Sequence, residues 1–156
     1  MKRHLGDLQI TSPAFKNLEE IPKRFVSDGQ NLSPPLEWNK VPEGAKELAL
    51  LCFDPDAPYT YGYTHWIMYG IPSEVNGITE GEGKTAFTEG MNSGGEQGYA
   101  GPAPPAGNGP HHYYFWLYAL DTKLNLQPGL TREQLLDTID DHIIEQARLV
   151  GIYEVK

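Results

Sequence analysis

The chain has 156 residues, 39% hydrophobic and 21% charged, which is the size and composition of one globular domain. Twelve basic against twenty-one acidic residues leave a net charge of −9, which argues against nucleic acid and against electrostatic attachment to anionic membranes. No apolar run approaches the roughly 20 residues of a membrane helix, and the start, Met1 to Asp7, lacks the apolar stretch of a secretory signal, so a cytoplasmic location is expected.

Taken in chain order, Leu8–Thr11 and Phe25–Val26 are weak strand candidates. Ser27–Val41, Pro-rich around Ser33-Pro34-Pro35, reads as irregular. Glu47–Asp54 is a short apolar run ending at an Asp-Pro turn signal and is expected as a strand. Within it Cys52, the only cysteine, rules out an internal disulfide and reads as a buried, inert thiol. Thr64–Ile71, rich in aromatic and β-branched residues, is a second strand. Gly90–Pro110, with seven glycines and four prolines, is either a functional loop or disordered. His111–Asp121 is the most strand-like segment, and Leu149–Val155 is a weaker one. One helix is expected from Arg132 to Ala147, opened by the capping-box pair Thr131 and Gln134 and striped by Leu135, Leu136, Ile139, Ile143 and Ala147. It is expected to cover a sheet without a role in any site. The class is mainly β, two packed antiparallel sheets with one C-terminal amphipathic helix, in a single domain spanning residues 1–156.

Three polar side chains sit where strands begin or end. Asp54 closes one strand, His65 opens the next and His111 opens the third. Alternation puts His111 and Tyr113 on one face, with His112 and Tyr114 on the other. If the first two strands pair as a hairpin, Asp54 and His65 share one end of the sheet. Two imidazoles and a tyrosine hydroxyl suit an anion, and the backbone of Gly101–Gly107 is a further source of donors. The neighbouring Asp54 charge is expected to outweigh burial and favour protonated His65 and His111, so that anion affinity falls as pH rises through about 6 to 8. A purely structural Asp–His pair that pins a loop accounts for the same residues equally well.

Enzyme signatures are not met. Gly90-Met91-Asn92-Ser93-Gly94 has the wrong spacing for a nucleophile elbow. Gly77 to Thr85, including Lys84, misses the phosphate-loop pattern because Ile78 holds a required glycine position. Asp54, His65 and His111 are residue types that bind zinc, but their spacing matches no zinc motif. No catalytic residue, metal or cofactor is therefore expected, and a metal-dependent hydrolase is the weakest of the readings.

Three segments together carry a family resemblance: Asp28-Gly29-Gln30-Asn31-Leu32-Ser33-Pro34-Pro35-Leu36-Glu37-Trp38; Asp54-Pro55-Asp56-Ala57-Pro58 with His65-Trp66-Ile67-Met68-Tyr69; and Gly101-Pro102-Ala103-Pro104-Pro105 with Gly109-Pro110-His111-His112-Tyr113. In order and spacing the chain resembles the phosphatidylethanolamine-binding protein family, which includes the Raf kinase inhibitor proteins. Leu149-Val150-Gly151-Ile152-Tyr153 looks like its short prokaryotic branch. The resemblance implies a two-sheet β-sandwich with short peripheral helices. It also implies a pocket for phosphate-like or other anionic groups formed by Asp54, Pro58, His65, Pro105, His111 and Tyr113. It further implies a cis bond at Ala57-Pro58. Ala103 stands where many prokaryotic relatives have cysteine, and the chain ends at Lys156 without the further helix of longer eukaryotic members, so a more open pocket is expected. The resemblance supports inhibition of a protease or kinase as an alternative role, and the aromatic segment Tyr59-Thr60-Tyr61-Gly62-Tyr63 reads equally as an interaction loop or as packing over the pocket rim. A homodimer is left open.

Overall fold

The computed structural model describes residues 6–82 and 87–156; Met1–Leu5 and Lys84 and Thr85 of the near-miss phosphate loop lie outside it. Nine strands and one α-helix are formed among the described residues: β1 Gln9–Thr11, β2 Glu19–Glu20, β3 Leu36–Asn39, β4 Glu47–Asp54, β5 Tyr63–Pro72, β6 Gly77–Ile78, β7 Thr88–Glu89, β8 His111–Leu120, α1 Arg132–Ile139 and β9 Ile143–Tyr153. They build a three-stranded sheet in the order β1-β3-β6 and a six-stranded sheet in the order β2-β9-β8-β4-β5-β7. All pairings are antiparallel except the two-residue contact of β2 with β9. The expected class, mainly β with two sheets and one C-terminal helix, is the observed one.

The cores explain why β4 reads as an unbroken apolar run. Its residues Leu48, Leu50 and Cys52 pack inward with Ile10, Leu36 and Trp38 of the small sheet. Ala49 and Leu51 point the other way, with Ile67, Tyr69 and Leu120, under Leu135 and Ile139 of α1. A strand covered on both faces has no polar positions to alternate with. No helix among the described residues is long and apolar enough to cross a membrane.

Three expectations are corrected. The helix stops at Ile139, passes through a 3₁₀ turn at Asp140–His142, and becomes β9. The capping box is present, with Thr131 and Gln134 bonding each other's backbone N–H groups. At the other end, however, Asp140 and Asp141 oppose the helix dipole. Ile143 pairs with Leu120 and Ala147 with Leu117, and this long pairing with β8 takes the chain out of helix. In place of the weak strand at Phe25–Val26, a 3₁₀ turn spans Lys23–Phe25. Within the segment read as irregular, Leu36–Asn39 is a strand with alternating burial.

Candidate functional site

The site lies at one end of the large sheet, and its floor follows from strand register. Antiparallel pairing sets Asp54 opposite Tyr63, and Cys52 opposite Trp66. Between these pairs Phe53 faces Thr64, which leaves His65 as an extra residue in β5. This bulge lets two consecutive side chains turn inward: Trp66 enters the core while the His65 ring meets Tyr113 at a centroid distance of 5.1 Å. An unbroken strand would have sent His65 to the opposite face. The bulge is the local feature that brings His65 to Asp54, and alternation alone does not reveal it.

The hairpin between Asp54 and Tyr63 is held by short bonds. Asp54 Oδ1 accepts from the Asp56 N–H at 2.7 Å, and the Tyr59 N–H donates to Ala57 O at 2.7 Å across Pro58. Gly62 has φ of +70°, and a Cβ there would lie 2.7 Å from Asp54 O, so only glycine fits. No cis peptide bond occurs among the described residues. The expected cis Ala57-Pro58 is thus trans, and a tight turn centred on Pro58 reverses the chain instead.

The Gly90–Pro110 segment is pinned rather than loose. Ser93 and Thr64 exchange bonds, the Ser93 N–H donating to Thr64 O at 2.9 Å and the Thr64 N–H to Ser93 Oγ at 2.8 Å. Tyr99 donates its hydroxyl to Phe25 O at 2.6 Å, and Asn31 Oδ1 accepts from the Gly101 N–H at 2.7 Å. Gly101 passes so close to Phe25 that a Cβ would come within 2.3 Å of its carbonyl oxygen.

Asp54, Pro58, His65, Pro105, His111 and Tyr113 all line one cavity of about 230 Å³, joined by Ser27, Tyr59, Tyr63, Ala103 and others. His111 Nδ1 donates to Asp54 Oδ2 at 2.7 Å, and both residues are 2% exposed. The other ring nitrogen, Nε2, lies 2.7 Å from Asn108 Oδ1. Both nitrogens of His111 are thus committed within the protein. His65 Nδ1 donates to Ala100 O at 2.6 Å, which leaves Nε2 as the acceptor of the neutral ring. Burial pushes the His65 pKa below its ordinary value, outweighing the Ala100 hydrogen bond and the Asp54 charge that pull it up. The expectation that attraction to Asp54 wins is corrected for His65: 5% exposed, it loses more in desolvation than the carboxylate returns.

Tyr113 is 1% exposed, and burial together with the Asp54 charge raises its pKa strongly, so it stays a neutral hydroxyl. Among the described residues its hydroxyl makes no hydrogen bond. Of the four backbone N–H groups expected from Gly101–Gly107, two are spent, Gly101 N–H on Asn31 and Gly107 N–H on Val155 O, and the prolines have none. Burial and the Asp54 charge raise the Cys52 thiol well above its usual range, which makes it a poor nucleophile.

Tyr59 and Tyr63 line the cavity, in keeping with the reading of their segment as rim packing, whereas Asn108 was not anticipated. The Tyr63 ring lies tilted against His65 at 4.7 Å and against Tyr59 at 5.9 Å, extending an aromatic wall from the surface into the cavity. Its spacing of two from His65 was the available signal. Asn108 reaches His111 from three residues upstream, between Gly107 and Gly109, both at positive φ. Asp56 takes two bonds at 2.8 Å from His112, through its backbone N–H and its Nδ1. Burial raises the Asp56 pKa, but these bonds outweigh it and hold the carboxyl below its usual value.

A family model described as phosphatidylethanolamine-binding protein matches residues 11–154. A protein named UPF0098 from Methanothermobacter thermautotrophicus is 42% identical over 151 residues, covering 94% of this chain and 98% of its own. Among solved structures, a phosphatidylethanolamine-binding protein homologue from Chlamydia trachomatis superposes with a TM-score of 0.89 at 41% identity, covering 96% of this chain and 98% of that one. YbcL of E. coli, described as a new member of the mammalian family, gives 0.91 at 32% identity, with 97% and 100% covered.

Proposed function

Because the chain belongs to the phosphatidylethanolamine-binding protein family, we propose that it is a binding protein, not an enzyme, that holds the phosphate-like head of a small ligand in the cavity around Asp54. The observation that carries this reading is the Tyr113 hydroxyl: neutral, open to the cavity it lines and making no hydrogen bond to the described residues. A hydroxyl that opens into a cavity and has no acceptor within the protein is available to donate to a ligand oxygen. The non-enzymatic part rests on how the reactive groups are used. Asp54 and His111 are tied to each other, and Cys52 is held as a thiol.

Thermal-shift titration with inorganic phosphate and phosphoethanolamine at millimolar concentration tests the reading, since a ligand of the folded state stabilises by mass action. A rise in melting temperature that is lost in Tyr113→Phe supports it. No rise with either compound overturns it.

A second reading, docking onto a protease or kinase, is favoured by one observation. Tyr59 and Tyr61 are 64% and 82% exposed beside the cavity mouth, and aromatic side chains are favoured at interfaces. A pull-down in which Tyr61→Ser loses a partner, while phosphate binding persists, would select this reading.

A further inference from the structure

Two asparagines in the chain are followed by glycine, Asn76 before Gly77 and Asn108 before Gly109. Glycine there leaves the backbone nitrogen open, because no side chain hinders its approach to the asparagine amide. The two pairs are held very differently. Gly77 belongs to β6 and pairs with Glu37 of β3, while Asn76 O accepts from the Trp38 N–H at 2.9 Å. A Cβ on Gly77 would lie 2.5 Å from Leu36 O, so this backbone is pressed against its neighbour. Bending it would detach β6 from the small sheet. Asn108, by contrast, is exposed in the loop that leads into β8. Gly107 and Gly109 on either side have positive φ, and a Cβ on either would meet nothing within 4 Å. The Gly109 N–H makes no hydrogen bond among the described residues. The Asn108 side chain is nevertheless fixed, with Oδ1 2.7 Å from His111 Nε2.

We propose that Asn108 is a self-modification site, where attack by the Gly109 backbone nitrogen turns the side-chain amide into a carboxylate against His111. The Gly109 nitrogen adds to Asn108 Cγ, and a C–N bond forms there. The Cγ–Nδ2 bond breaks, the Gly109 N–H proton passes to the departing nitrogen, and ammonia leaves. A cyclic imide remains, and solvent water opens it. Opening at the side-chain carbonyl gives aspartate; opening at the main-chain carbonyl gives isoaspartate. Nothing is oxidised or reduced. The His111 contact favours the first step, because a donor at Oδ1 stabilises the negative charge that gathers on that oxygen during addition. The product changes the same contact. A neutral amide becomes an acid beside a ring whose other nitrogen already bonds Asp54. The loop at the cavity mouth gains a negative charge, and isoaspartate also lengthens the main chain between Gly107 and Gly109. The step needs no ligand, so it stands apart from the phosphate reading.

Peptide mapping of the full chain by mass spectrometry, after incubation near neutral pH, is the test. The Asn108–Gly109 peptide is expected to convert to aspartate and isoaspartate at least about tenfold faster than the Asn76–Gly77 peptide, the worth of one backbone hydrogen bond that β6 must give up. Incubation in urea removes the fold, and there the two pairs are expected to convert at similar rates. A folded-state ratio near one overturns the inference, as does an Asn108 that stays intact while the denatured chain converts. Asn108→Gln is expected to remove most of the acidic isoform resolved by native ion exchange. Persistence of that isoform in the variant places the reaction elsewhere and also overturns it. In the isolated acidic isoform, the His111 ring signals in proton NMR are expected to move. Signals that stay in place overturn the link to His111.

Discussion

His111 and Asp54 form a buried pair at 2.7 Å, each 2% exposed, across the join between β8 and the end of β4. The pair has a structural consequence separate from any ligand. Replacing His111 with Phe keeps the ring volume but leaves Asp54 without its partner. Removing one member of a buried, bonded pair typically costs about 3–5 kcal/mol. Urea denaturation of His111→Phe is expected to show a loss in that range. A loss below about 1 kcal/mol would mean that Asp54 is solvated from the cavity and needs no partner.

Tyr113→Phe is expected to behave in the opposite way. Its hydroxyl makes no bond among the described residues, so folding stability should hold within about 0.5 kcal/mol. Phosphate affinity should fall about tenfold, one hydrogen bond's worth. Denaturation and calorimetry on the same sample separate the two effects. A large loss of stability would show that the hydroxyl is spent within the fold.

The depressed pKa of His65 sets the direction of a pH effect. Burial makes the folded ring harder to protonate than the unfolded one, whose value lies near 6.5. Below about pH 6.5 the unfolded chain therefore binds more protons at this residue, and stability falls as pH falls until the folded ring also protonates. The difference in stability between wild type and His65→Phe should shrink on going from pH 7 to pH 5. A difference that grows instead would place a protonated His65 in the folded protein.

The helix cap tests whether α1 shares in the site. Thr131 Oγ1 accepts from the Gln134 N–H at 3.2 Å, so Thr131→Ala should cost about 1 kcal/mol. Because α1 packs on the sheet face away from the cavity, phosphate affinity should not change. Affinity lost in excess of the destabilisation would show that the helix shapes the cavity.

What was legible in the sequence depended on whether a signal was local. β4 was read with its observed ends, and β5 and β8 were each within one residue at either end, because aromatic and β-branched runs bounded by Pro or Asp need no outside information. The helix was read at twice its length. Ile139, Ile143 and Ala147 recur every four residues, a spacing that fits one face of a helix and also one face of a strand. Only the pairing partner, β8, decides between them. β3 was hidden because Pro34 and Pro35 mask a short alternating strand behind them. The six residues named for the site do line one cavity, but what each contributes rests on contacts that no motif encodes. The bulge at His65 and the Asn108 bond to His111 are such contacts.

Strand β4 is buried on both faces and ends in Asp54. Sliding it by one residue would exchange inward and outward side chains in two cores at once, so the depth at which the carboxylate sits is locked by the whole domain. The rim is under no such constraint, since residues 55–62 and 101–110 contribute no paired strand. Change of ligand during divergence is thus channelled into the two loops. Variants of this frame should differ in the width and chemistry of the mouth while presenting the same acid at the same depth.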